Sequence, residues 1–129
     1  MNAYFIFNKS INADYLHSLF EYDYEYMGQI FESSAKELKD TLAKLPSQFD
    51  IIKKEELRRN IHKIKPIFGF VGLIEIQEEC LLFEENCKKN TINHELSTQY
   101  NTLFGVLHLG LDIIEKESVR LKHFNSEKP

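Results

Sequence analysis

Apolar residues along this chain recur at intervals of three and four, the spacing of one face of an α-helix. The clearest run holds Leu57, Ile61, Ile64, Phe68 and Val71 on a single stripe, with Asp50 placed to cap the segment. It is expected to end at about 68–71, where Gly69 and Gly72 weaken it. Ahead of it, Asp23 offers an N-cap for a longer helix. The buried side of that helix reads Met27, Ile30, Phe31, Ser34, Leu38, Thr41, Leu42 and Leu45. Leu45-Pro46 stops it, because a residue before proline disfavours helical torsions. Leu73, Ile76, Cys80, Phe83 and Cys87 mark a fourth helix over about 73–89, with Asn90 as a left-handed exit. A fifth begins near Asn93 and runs to about 122 on Leu96, Tyr100, Leu103, Phe104, Leu107, Leu111 and Ile114. A short helix over about 13–21, with Tyr15, Leu16, Leu19 and Phe20 apolar, precedes them all.

The pattern therefore predicts an all-α chain. Four amphipathic helices on short connections are expected to pack as an antiparallel up-and-down four-helix bundle, with the short additional helix at the N-terminus. The 129 residues fit one domain with a core of about 14–121. Residues 1–11 read as a strap or frayed arm, and 124–129 as a loose polar tail.

Composition narrows the function classes. A formal charge of −4 argues against nucleic-acid binding. No apolar stretch approaches the ~20 residues of a membrane span, and the N-terminus lacks the basic lead and cleavage site of a signal peptide. A cytoplasmic location is expected. Cys80 and Cys87 would lie ~10 Å apart on one helix, out of disulfide reach, and read as reduced core thiols. No CxxC or paired histidine completes a zinc site. Di-iron chemistry needs Glu-x-x-His pairs, and the nearest approach is Asp14-Tyr15-Leu16-His17. Hydrolase nucleophile motifs and phosphate-cradling glycine loops are absent.

Of the five histidines, His17, His94, His108 and His123 read as structural or solvated. His62 differs. At ~100° per residue it lies roughly 140° from the centre of the apolar stripe, so it is expected to face solvent. Arg58 and Lys65 come one turn away on either side, near enough to balance charge on a phosphoimidazole. Pro66 and Gly69 share that outer face. Gly69 is expected to need no side chain for packing and to leave room for an approaching partner.

The run from Arg58 to Leu73 resembles the signature of the histidine-containing phosphotransfer (HPt) domain. That signature has a lysine three residues after its histidine and glycines four, seven and ten residues after it. His62, Lys65, Gly69 and Gly72 agree, while Pro66 stands where the family has glycine. Leu73, Ile76 and Phe83-Glu84 continue the pattern into the next helix. The resemblance implies that His62 accepts a phosphoryl group from a receiver-domain aspartyl phosphate and passes it to another receiver. Lys65 and Arg58 would balance charge, and Pro66, Gly69 and Gly72 would shape the docking face. It implies receiver domains of response regulators and hybrid kinases as partners, with Mg²⁺ in the receiver and no cofactor on this chain. A monomeric phosphocarrier without ATP-dependent autokinase activity is expected. Pro66 removes the backbone N–H that would bond to the carbonyl of His62, so a kink is expected at that turn. Two alternatives stay open. One is an adaptor that docks a receiver or kinase without carrying phosphate, and the other is a helical homodimerisation module.

Overall fold

The computed structural model describes residues 4–89 and 91–127, and among these it is all-helical with no strand. The helices are α1 (Ala13–Phe20), α2 (Tyr24–Leu42), α3 (Lys54–Phe70), α4 (Ile74–Lys88) and α5 (Asn93–Ser126), with a 3-10 turn at Ile51–Lys53. No helix of the described residues is long and apolar enough to cross a membrane. The proposed exit at Asn90 lies outside the described residues.

Side-chain oxygens start three of these elements. Asn12 accepts from the Tyr15 amide at 3.0 Å and Asp23 from the Tyr26 amide at 3.0 Å, each satisfying a donor orphaned at a helix start. Asp50 does cap, but it accepts from Ile52 and opens the 3-10 turn, so α3 itself starts three residues later than its cap position implied. The α1–α2 corner holds Glu21 and Tyr22 at φ 52° and 62°, left-handed torsions that are costly for residues with a Cβ. Tyr22 offsets this by stacking on His17, their centroids 4.2 Å apart.

The α3–α4 corner needs its glycine. Leu73 N–H bonds to Phe68 O at 2.8 Å and Gly72 N–H to Gly69 O at 3.1 Å, the paired bonds of a Schellman ending. Gly72 takes φ +77° to make them, and a Cβ there would sit 2.9 Å from Ile11 and 3.0 Å from Leu16. Its carbonyl accepts from Asn12 N–H at 2.9 Å, fastening the start of α1 to this corner.

Packing follows the predicted stripes. α2 packs against α5 and α3, and α4 against α3 and α5. Phe31, Leu38, Leu57, Ile61, Ile64, Phe68, Phe83, Leu96 and Tyr100 are among the side chains enclosed between them. Burying each such side chain contributes about 1.5–3 kcal/mol before the entropy of ordering it. Gly110 lets α5 come close, since a Cβ there would lie 2.8 Å from Phe68 and 2.9 Å from Ile76.

Two expectations gain detail and one needs correction. In α1 only Leu16 is fully buried, while Tyr15 and Leu19 face solvent, because a helix this short has one contact line to offer. Residues 4–11 are a strap with an extended alternation: Tyr4 and Ile6 point out, and Phe5, Phe7 and Ile11 are buried. The strap is latched at α5, where the buried Glu117 accepts from Asn8 N–H at 2.9 Å and pairs with Arg120. Arg120 also donates to Ile6 O at 2.9 Å and covers the Phe5 ring at 4.6 Å. The C-terminal segment is not loose up to residue 126. α5 continues to Ser126 because Phe124 packs edge-on to Phe5 and Tyr24 at 5.5 and 5.3 Å.

Candidate functional site

His62 stands on the outer face of α3, as its position opposite the stripe requires, with 65% of its side chain exposed. Its Nδ1 lies 2.5 Å from Oε1 of Glu84 on α4. The other carboxylate oxygen, Oε2, meets Lys65 Nζ at 2.6 Å. Glu84 is only 3% exposed although α4 places it beside a surface histidine. It reaches that position because it follows Phe83 on the stripe of Ile76, Cys80 and Cys87, which turns it towards α3 rather than to solvent.

The charge balance of the triad is internally consistent. Burial pushes the Glu84 carboxyl up, but hydrogen bonds from Lys65 and His62 together outweigh it and hold the group below its ordinary value. A carboxylate can only accept, so Nδ1 carries the proton that points at Glu84. The Nε2 lone pair is then directed outward. In the neutral ring, water or a partner molecule then meets the Nε2 lone pair.

The cations are spoken for more fully than their spacing suggested. Lys65 is not an exposed, free charge, since its side chain is 21% exposed and is bound to Glu84. Arg58 is turned back along α3 to Glu55, its Nε donating to Oε1 at 2.9 Å. Both stay within one turn of His62, so either can reach a new anion there only by leaving or sharing its carboxylate.

Neither glycine is an open face. Gly69 is buried beneath the Gln77 side chain, whose Nε2 would be 2.6 Å from an added Cβ. Gly72 is buried against Ile11 and Leu16 and serves the corner, not a docking surface. α3 runs unbroken through Pro66, which is exposed one turn beyond His62. Phe70, 52% exposed, follows at the end of the helix. Glu84 as the partner of His62 and Gln77 as the cover of Gly69 were missed from spacing alone. A charged residue sitting on an apolar stripe was the signal for the first.

The remaining histidines have ordinary surroundings. His17 shares a 3.0 Å hydrogen bond with the Tyr24 hydroxyl, and His108 Nδ1–H donates to Phe104 O at 2.9 Å. His123 pairs with Glu127, and His94 lies on the outer surface of α5. Cys80 and Cys87 are buried free thiols, and burial raises Cys80 to about 12, which leaves it inert. Compared with family models, curated proteins and solved structures, the chain matches none.

Proposed function

We propose that this chain is a phosphorelay phosphotransfer protein of the histidine-containing phosphotransfer type. Its acceptor is His62. The observation that carries the reading is a solvent-facing imidazole whose inner nitrogen is held by a buried carboxylate, which is itself neutralised by Lys65.

In the reaction proposed, the Nε2 lone pair attacks the phosphorus of an aspartyl phosphate on a receiver domain. The N–P bond forms as the bond from phosphorus to the acyl oxygen breaks, and the receiver's aspartate leaves as a carboxylate. The ring gains positive charge as both nitrogens become substituted, and Glu84 accepting from Nδ1–H stabilises that charge. Transfer to a second receiver reverses these steps. Mg²⁺ and the acidic pocket belong to the receiver, and this chain contributes a positioned nucleophile. Lys65, and Arg58 if it turns from Glu55, would meet the phosphoryl oxygens.

The four longer helices are proposed to form an antiparallel up-and-down bundle, in keeping with their short connections and cyclic packing. His62, Pro66 and Phe70 would form the face that meets the receiver, with Gly69 acting through its Gln77 cover. The chain would act as a monomer in the cytoplasm. Pro66 favours a second reading, an adaptor that docks the same partners without accepting phosphate, because its ring occupies the face that a nucleophile must share. Incubation with receivers phosphorylated by acetyl phosphate separates the two. The carrier gives acid-labile label that His62→Gln lacks, and the adaptor gives binding without label.

A further inference from the structure

On the far side of α4 from His62, an apolar groove follows the seam between α4 and α5. One section, about 470 Å³, is lined by Leu82, Thr98, Thr102 and Leu103. A second, about 180 Å³, is lined by Ile76, Val106, Leu109 and Ile113, and Glu79 walls both. Leu82 and Leu109 are 51% and 59% exposed, and a Cβ on Gly105 would touch nothing within 4 Å. From Thr98 to Ile113 the groove follows α5 for ~22 Å at 1.5 Å per residue, room for about four turns of a docked helix.

Apart from His94, which also lines the first section, the ionisable side chains around it are acidic. The sequence has no lysine or arginine from Ile74 to Cys87 or from Thr91 to Glu115. Glu75, Glu79 and Glu95 rim the groove itself. An apolar floor inside an anionic rim selects a ligand with the inverse pattern.

We propose that this groove docks a cationic amphipathic helix from a partner protein, independently of the chemistry at His62. A second copy of the chain does not supply such a helix. α3 is its most cationic one, with Lys54, Arg58, Arg59, Lys63 and Lys65, but the stripe Leu57, Ile61, Ile64 and Phe68 is already enclosed in its own core. The partner helix would present its apolar stripe to Leu82, Val106 and Leu109 and its cations to the glutamates.

The test uses a labelled leucine–lysine peptide of about 18 residues, with leucines at i, i+3, i+4 and i+7 spacing. It is titrated by anisotropy and by amide chemical-shift mapping on the full chain. Binding in the micromolar range is expected, with shifts centred on Leu82, Thr102, Val106 and Leu109. Leu82→Gln with Leu109→Gln, both at exposed positions, should weaken it about tenfold or more while the helical circular dichroism holds. Glu75→Gln with Glu79→Gln and Glu95→Gln should flatten its salt dependence. His62→Gln should bind like the parent, which separates this surface from the proposed relay. Shifts spread over the acidic surface, or undiminished binding by the leucine variant, would overturn the proposal. So would a dimer of the free chain that the same leucine variant dissociates, since a second copy would then be the occupant.

Discussion

Replacing Lys65 by methionine keeps the aliphatic stem and removes one charge, which isolates the electrostatic role of the pair with Glu84. Breaking a fully buried ion pair costs about 3–5 kcal/mol, most of it from the charge left behind. Glu84 keeps His62 as a partner and lies one side chain from water, and Lys65 is itself 21% exposed. The loss at neutral pH should therefore be smaller, about 1–3 kcal/mol. The pH dependence gives the diagnostic sign. In the parent chain the Glu84 carboxyl is held below the ordinary carboxylate value of about 4.5, so its stabilisation is present above that pH and is lost as pH falls through the depressed value. In Lys65→Met the burial that raises the group is less well opposed, so protonation relieves the folded state instead. The gap between the two proteins should be widest near neutrality and close as the solution is acidified below about pH 4.5. Urea unfolding followed by circular dichroism at about pH 7 and about pH 4 measures it. A loss that is the same at both pH values would assign the effect to packing and refute the charge account. A loss under ~0.5 kcal/mol at neutrality would make Lys65 an ordinary surface lysine.

Other substitutions probe the corner, the cover and the strap. Gly72→Ala should destabilise by about 1–3 kcal/mol, because it combines a left-handed torsion with contacts to Ile11 and Leu16, and the urea midpoint reports it. Gly69→Ala alone should stay within about 1 kcal/mol of the parent, since helix propensity is gained but Gln77 must move. Combined with Gln77→Ala it should become stabilising, and a larger loss in the double variant would show that the space is not opened by that side chain. Arg120→Met should free the strap by about 1–2 kcal/mol, seen as faster amide exchange at residues 5–8 with α3 unaffected. Equal acceleration in α3 would mean that the strap and the helical core open as one unit.

Periodicity was enough for the five helices, because the buried stripes of α2 to α5 repeat with the helical period and nothing competes with them. Asp23 was legible as a cap because its oxygen acts on an amide three residues away. Contacts between elements were harder. Glu84 reaches His62 across 22 positions, and only the relative rotation of α3 and α4 puts them together. A glutamate on a stripe otherwise made of Ile76, Cys80, Phe83 and Cys87 nevertheless marks a buried charge in need of a partner, and Glu117 beside Ile113, Ile114 and Leu121 carries the same mark. The strap was also within reach, since Tyr4-Phe5-Ile6-Phe7 buries every second residue once an apolar surface lies beneath it. The position of Gln77 over Gly69 had no such signal. It depends on how α4 sits against α3, and the glycine alone read as open space.

The central claim, that His62 accepts phosphate, is tested most directly on the chain itself. A receiver carrying radiolabelled aspartyl phosphate is mixed with the parent chain, with His62→Gln and with Glu84→Gln, and the bound label is tested for stability in acid and in alkali. The account predicts acid-labile, alkali-stable label on the parent chain and none on His62→Gln. Glu84→Gln should be labelled more slowly by about tenfold or more, since a neutral amide stabilises the charged ring less. Label that persists on His62→Gln, or the absence of label on the parent chain with every receiver that binds it, would contradict the account.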